Sequence, residues 1–209
     1  MQKKFGSAAL IFTALALILT LACGSVPETH YYTIGKIVPQ AASYGQRLDY
    51  SVGVPQFDAE GIYARDNLLY RSGNYEIAAD YYRCWGVPPQ KMLAEATVTY
   101  LRKSELFNEV RRMPTMSRTD LVLSGRILCF EEVAGPTGPA VKMDLEFDLQ
   151  YARGGERLWW DEISATSPIT VPQSPEAVVA AVENCVRSCL DQAMRSLAQA
   201  SSKLGSRAK

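Results

Sequence analysis

The chain has 209 residues with a balanced charge, since 22 basic and 22 acidic side chains give a formal net charge of zero. This balance provides no electrostatic footprint for nucleic acid, so we exclude a nucleic-acid-binding class. With a single histidine, a metal site would have to come from carboxylates and thiols, and no cluster with ligand spacing occurs.

The N-terminal 23 residues have the composition of a bacterial secretion signal. A basic start at 3–4 precedes an apolar run over 8–21, which is short of the roughly 20 residues that span a bilayer. The run ends in Ala-Cys-Gly at 22–24, which resembles a lipobox. We therefore predict a cleaved signal at 1–22 and a lipid on Cys23. The alternatives are an ordinary secreted protein cut nearby and an uncleaved anchor.

Removal of this signal leaves 187 residues, with 20 basic and 22 acidic side chains and a net charge of about −2. That length suits one domain with a sizeable core. We predict a lipidated tether at 23–30, a single domain at 31–200 and a flexible tail at 201–209. Seven extended residues reach roughly 20–25 Å, so the domain should lie close to the membrane. Gly24 after the cysteine favours the outer membrane.

Strand signals begin directly after the tether. An aromatic and β-branched run at 30–34 and an alternating run at 48–54 each predict a strand. Two short runs, 67–71 and 75–78, flank Ser-Gly-Asn and predict a β-hairpin. A short strand or turn is expected at 107–113.

Two helices and a strand meander complete the prediction. Paired prolines and helical spacing of apolar residues predict a helix over about 87–106, and a Ser-Pro-Glu start predicts another over about 174–200. Alternation over 119–166 predicts a three-stranded antiparallel meander, in which 142–150 presents a wet, acidic face. The fold class is therefore α+β, with an antiparallel-rich mixed sheet covered on one face by two helices.

No catalytic arrangement is recognisable in the sequence. It lacks a G-x-S-x-G elbow, an H-E-x-x-H helix, a phosphate loop and a dinucleotide fingerprint. His30 directly follows the tether, which disfavours a Cys–His pair. Asp144, Glu146 and Asp148 share one strand face, and such a row is more often solvated than a cation site. We predict no enzyme activity, no metal, and no cofactor besides the lipid on Cys23.

Four cysteines remain within the predicted domain, namely Cys84, Cys129, Cys185 and Cys189. An oxidising compartment permits disulfides, but the spacing does not assign them and three pairings are possible. Cys185 and Cys189 share an apolar helical stripe, which favours buried thiols. The alternative is that one of them pairs with Cys84 or Cys129.

Aromatic and arginine side chains gather around the predicted hairpin and the start of the first helix. They are Tyr70, Arg71, Tyr82, Arg83 and Trp85. Such residues are favoured at protein interfaces and are also ordinary packing material. We predict a partner-binding surface at these five positions. The tyrosines are open to either role, and Trp85 is favoured as a core residue.

The order of these segments resembles the ABC-type transport auxiliary lipoprotein family, whose PqiC-like members accompany MCE-type lipid transporters. The likeness covers essentially the mature chain. It is carried by the lipobox at Cys23, Tyr31-Tyr32-Thr33, Val52-Gly53-Val54-Pro55, Tyr70-Arg71, and Arg83-Cys84-Trp85 before a helix. Cys84 within the last motif and Gly86-Val87 after it depart from the usual pattern.

The resemblance implies a domain of α/β type related to the N-terminal domain of TolB, periplasmic and tethered to the outer membrane. It implies an MCE-domain protein and an ABC permease as partners, and it does not imply an enzyme. A homo-oligomer is left open, and an oligomeric ring would favour this function. The alternative is a structural or regulatory envelope lipoprotein that activates a cell-wall enzyme, and an uncharacterised hydrolase is the least favoured hypothesis.

Overall fold

The computed structural model describes residues 27–40, 44–136, 138–172 and 174–204. The predicted signal at 1–22, the predicted lipidation site Cys23 and the last five residues of the predicted tail lie outside the described residues. The strands are β1 (His30–Tyr32), β2 (Leu48–Val54), β3 (Asp58–Ala59), β4 (Asn67–Ser72), β5 (Glu76–Trp85), β6 (Phe107–Arg112), β7 (Leu121–Gly135), β8 (Gly138–Tyr151) and β9 (Arg157–Pro168). The helices are α1 (Pro89–Ser104) and α2 (Pro175–Leu204), with a 3-10 helix at Gly61–Ala64.

β7 is the strand around which the sheet is organised. One of its edges pairs antiparallel with β8 along nearly its whole length, and β8 pairs antiparallel with β9. The meander predicted over 119–166 is thereby confirmed. The other edge of β7 pairs in parallel with β2, then β3, then β4. The result is a mixed sheet in which the long antiparallel pairs dominate, as predicted.

Both helices cover the same face of this sheet and enclose the hydrophobic core. α1 packs on β2, β6 and β7, and α2 packs on β8 and β9. The inward positions of β8 are fully buried and recur with period two, as its alternation predicts: Val141, Met143, Leu145, Phe147 and Leu149. The predicted fold class is confirmed.

α2 starts where its sequence signals place it and ends later than expected. The hydroxyl oxygen of Ser174 accepts a hydrogen bond from the N–H of Ala177 at 3.2 Å, as an N-cap does, and Pro175 takes the first helical position. The helix continues to Leu204, beyond the predicted end at 200.

The outward face of β8 is less wet than its acidic residues suggest. The carboxylate of Asp144 lies 3.0 Å from Nζ of Lys142, and that of Asp148 lies 2.5 Å from Nη2 of Arg157 on β9. Their side chains are only 16% and 22% exposed. Neighbouring cations and the adjacent strand therefore cover a row that was expected to lie in water.

The four cysteines of the domain are all described, and no disulfide joins them. Cys185 and Cys189 are buried on the sheet side of α2, as the favoured interpretation has it, and the thiol of Cys185 lies 3.4 Å from the carbonyl oxygen of Val141. Burial raises the pKa of Cys185 to about 12 and that of Cys129 to about 11. These thiols stay protonated near neutral pH, which makes them poor nucleophiles.

Candidate functional site

The hairpin of β4 and β5 contains a wide bulge. Its predicted antiparallel pairing is confirmed, but the register slips, since Leu69 faces Ala79 whereas Asn67 faces Cys84. A step of two residues in β4 therefore spans a step of five in β5. The surplus residues of β5 project from the ladder, as bulges do near functional surfaces.

Asp80 holds this bulge in place. Its carboxylate accepts hydrogen bonds from the backbone N–H groups of Tyr82 at 2.9 Å and Arg83 at 3.0 Å, and from Nε of Arg83 at 2.7 Å. Asn67 donates to the Asp80 carbonyl oxygen at 2.9 Å. Burial alone would raise the pKa of Asp80, but the hydrogen bonds from Arg83 and Tyr82 outweigh it, and the net pKa is lowered. The carboxylate therefore stays ionised near neutral pH and holds the bulge through these hydrogen bonds.

The bulge displays two tyrosines while a tryptophan lies beneath it. Tyr81 is 74% exposed and Tyr82 is 42% exposed, whereas Trp85 is only 4% exposed. The ring of Trp85 stacks on Phe130 with their centroids 5.4 Å apart. Trp85 is therefore a core residue, as the sequence favours. Its inclusion among partner-contacting residues is corrected, because its indole has almost no accessible surface.

Arg71 is anchored by a buried carboxylate on β7. Its Nε donates to Oε1 of Glu131 at 2.6 Å, and the hydroxyl of Tyr63 donates to Oε2 of Glu131 at 3.1 Å. The Glu131 side chain is 1% exposed, and the Arg71 side chain is 31% exposed. Burial, reinforced by Cys129 and Glu131, raises the pKa of Tyr63, so this phenol remains a donor. The ion pair therefore fixes the turn end of the hairpin to β7.

An open cleft separates β4 from the end of β7. The two strands pair only at Tyr70 and Glu132, beyond which they diverge and leave a cavity of about 380 Å³. The cleft is lined by Tyr70, Arg71, Glu132, Val133, Ala134, Gly135, Gly138 and Pro139. Beyond the single pair, no described strand pairs with the cleft-facing edges of β4 and β7.

The wall of this cleft carries a half-satisfied carboxylate. Oε1 of Glu132 lies 3.5 Å from Nη1 of Arg83, an ion pair without a hydrogen bond. Burial raises the pKa of Glu132, and the charge of Arg83 opposes this shift only in part. This oxygen is buried in the described structure, so the ion pair with Arg83 is its main compensation.

The structure places four of the five predicted contact residues in or beside the cleft, and only two of them line it. Tyr70 and Arg71 line the cleft, Arg83 pairs with its wall, and Tyr82 lies on the adjoining bulge. Their role as contact residues stays a prediction. We call this set, together with Glu132, the hairpin cleft.

Sequence reasoning missed the acidic residues that position the hairpin cleft. Asp80 has a signal, because an aspartate two and three residues before the amides it accepts is typical of an Asx turn. Glu131 and Glu132 are adjacent carboxylates within an otherwise apolar strand, which indicates buried ion pairs. Their partners could not be read from sequence, since β4 and β7 are far apart in the chain.

The hairpin cleft is equipped for recognition. It offers an exposed aromatic ring, charged groups held by ion pairs, and strand edges. Throughout the described ranges, no three His, Cys, Asp or Glu side chains are grouped so as to hold a metal ion. Within those same ranges, neither long helix is apolar enough over a sufficient length to cross a bilayer.

Comparison with known proteins identifies a matching family model and solved structures with the same fold. The model described as an ABC-type transport auxiliary lipoprotein component matches residues 32–193. A DUF330 protein from Xanthomonas campestris is 16% identical, with 88% of this chain and 99% of that chain covered and a TM-score of 0.69. An uncharacterized protein is 13% identical, with 82% and 97% covered and a TM-score of 0.61. At these identities the two structures show a common fold alone. No curated protein matches the sequence.

Proposed function

This chain belongs to the ABC-type transport auxiliary lipoprotein family, and on that premise we propose that it is a lipid-anchored, periplasmic accessory subunit of an ABC transport system of the MCE type. The observation that carries the proposal is the family match over 32–193, which spans almost all the described residues. A lipid on Cys23 holds the domain at the outer membrane, and the domain docks the periplasmic transport component.

The hairpin cleft is the docking surface in this proposal. The unpaired edges of β4 and β7 suit an extended segment of the partner, which adds to a free edge through main-chain hydrogen bonds. Tyr70 and Arg71 line the cleft and supply side-chain contacts. The partner is the MCE-domain protein that works with the ABC permease.

Substitution of Cys23 tests the anchor. Cys23→Ala should move the domain from the membrane fraction to the soluble fraction and abolish its support of transport, because the lipid is the only membrane attachment in the proposal. Its thermal unfolding should match that of the wild type, since the core of the described residues begins at Ile37. Cys84→Ser is the matched control and should remain membrane-bound. A Cys23→Ala variant that stays in the membrane and active contradicts the proposal.

A further inference from the structure

The three most exposed tyrosines of the described chain lie along one edge of the sheet. Tyr31 on β1 is 71% exposed, Tyr75 at the tip of the β4–β5 hairpin is 98% exposed, and Tyr81 on the bulge of β5 is 74% exposed. We call these three residues, with the outer edge of β5 between them, the tyrosine edge. Its free backbone edge is the side of β5 that faces away from β4 and β7, although Tyr82 and Arg83 of the hairpin cleft lie on the same strand.

Most of this edge has no strand partner. β1 pairs with β5 only from His30 opposite Arg83 to Tyr32 opposite Trp85. Within the described residues, no strand pairs with the outer edge of β5 over 76–82. A free edge of this length, flanked by aromatic side chains, needs an occupant or a protecting surface.

The direction of β1 indicates what that surface is. Because β1 runs parallel to β5, the chain that precedes His30 leaves the sheet towards the hairpin tip. Seven residues separate His30 from Cys23, and seven separate Arg83 from Glu76 at the tip. At about 3.3 Å per residue, either segment reaches at most about 23 Å. A lipid on Cys23 would therefore keep the β1 end of this edge within that distance of the bilayer, and the rest of the edge is no longer than the tether.

From this we propose that the tyrosine edge lies against the lipid headgroup layer of the membrane to which Cys23 is attached. This inference rests on the lipid anchor of the proposed function. Tyrosine suits such a place, because its ring is apolar and its hydroxyl is wet. The free N–H and C=O groups of β5 can form hydrogen bonds with water and lipid headgroups in this layer. The hydrocarbon core of the bilayer offers no such partners.

The charges along the edge favour aromatic over electrostatic contact. Glu28 and Glu76 are exposed and acidic. The two arginines of the hairpin are both paired, Arg83 with Asp80 and Glu132 and Arg71 with Glu131. Attraction to anionic lipid is therefore weak, and raising the salt concentration to about 0.5 M should leave the contact unchanged.

Lipid quenching of introduced tryptophans tests the contact. The full-length lipidated protein is reconstituted into vesicles of phosphatidylethanolamine and phosphatidylglycerol, with and without brominated lipid. Trp160→Phe serves as the background, because Trp160 is 45% exposed while Trp85 and Trp159 are buried. Into it are placed Tyr75→Trp, Tyr81→Trp and the control Tyr50→Trp, at a tyrosine that is 39% exposed on β2.

The inference predicts quenching about twofold or more greater at positions 75 and 81 than at position 50. Protein that floats with the vesicles but shows equal quenching at all three positions overturns the inference and leaves the lipid anchor standing. Protein that does not float refutes the anchor, and the inference falls with it. Amide exchange over 76–82 that slows with protein concentration in the absence of vesicles shows that a second copy covers the edge, which also overturns the inference.

Discussion

The meander under α2 and the corner formed by β1, β4 and β5 both contain strands rich in aromatic residues, but these residues are buried in the meander and exposed in the corner. On β8, Met143, Leu145 and Phe147 are at most 1% exposed because α2 packs over them. On β5, Tyr81 and Tyr82 stay exposed, and in the described structure neither helix packs extensively on β4 or β5. Alternation therefore predicts a strand in both places, while the covering helix decides whether its aromatic residues become core or surface.

The corner is nevertheless joined to the rest of the sheet by ion pairs. Glu131 and Glu132 on β7 pair with Arg71 and Arg83, and Trp85 anchors the corner to the core. Asp80 pairs with Arg83 within β5. The difference teaches that two kinds of interaction stabilise one sheet: apolar burial stabilises the meander, and carboxylate–arginine pairs hold the corner in shape. Substitutions at four positions test this division.

The largest effect is expected under α2. Val182 is 1% exposed, and Val182→Asp places an unpaired charge in the core. We expect a loss of about 4 kcal/mol or more in the free energy of unfolding, which leaves the domain largely unfolded. Asn184→Asp, at an exposed position of the same helix, is the control and should change little. Urea denaturation followed by circular dichroism measures both, and a fully folded Val182→Asp variant would refute the packing.

Trp85 is an exception to the contrast between a buried meander and an exposed corner. It lies on β5, but its side chain is part of the core. Trp85→Ala should cost about 3–5 kcal/mol, since it removes the ring stacked on Phe130. Tyr81→Ala, four residues earlier on the same strand, should stay within about 0.5 kcal/mol of the wild type. Equal losses for the two variants in chemical denaturation would mean that the corner is not divided in this way.

The ion pair of Arg71 should matter more than an exposed pair of similar length. Arg71→Ala leaves the Glu131 carboxylate buried with Tyr63 as its remaining donor, and we expect a loss of about 1–3 kcal/mol after allowance for the partial exposure of Arg71. Arg126 lies 3.2 Å from Glu60, with both side chains about half exposed. Arg126→Ala should cost about 0–1 kcal/mol. Thermal unfolding of both variants gives the comparison, which fails if the two losses are alike.

The bulge should respond to acid. The folded-state pKa of Asp80 is lowered from its ordinary value of 3.8, so its stabilising effect is complete above that pH and is lost as the pH falls through the lowered pKa. Asp80→Ala should cost about 1–2 kcal/mol at pH 7. The gap to the wild type should close below about pH 4.

Asp80→Asn separates the charge of this residue from its geometry. The amide oxygen still accepts from the N–H groups of Tyr82 and Arg83, whereas the ionised pairing with Arg83 is gone. Its unfolding free energy should therefore lie between those of the wild type and Asp80→Ala, without the acid-dependent change. An acid response as steep in Asp80→Asn as in the wild type would show that another group titrates.

Local patterns predicted most of the elements but not their long-range pairing. The alternation of β8 and the Ser-Gly-Asn turn specify the meander and the hairpin, because each depends on neighbours in sequence. The parallel pairing of β1 with β5 and of β2 with both β6 and β7 has no local signal. Parallel partners are joined by long connections, so no turn residues mark them.

The same limit explains the candidate site. Tyr70, Arg71, Tyr82 and Arg83 could be proposed from composition, since arginine and tyrosine are typical of interfaces. The cleft could not be proposed, because it exists only where β4 and β7 diverge after a single pair. Trp85 is the fifth residue of the predicted contact surface. The sequence favours it as a core residue, and its burial agrees with that interpretation.

The most direct test of the proposed function is photo-crosslinking from the hairpin cleft in intact cells. A photoreactive residue replaces Tyr70 in one strain and Tyr50 in another, and these two tyrosines are equally exposed at 39%. We expect position 70 to capture an MCE-domain protein or an ABC permease, identified by mass spectrometry, and position 50 to capture neither. Capture of a cell-wall synthase from position 70, or equal capture of transporter components from both positions, would contradict docking through the cleft.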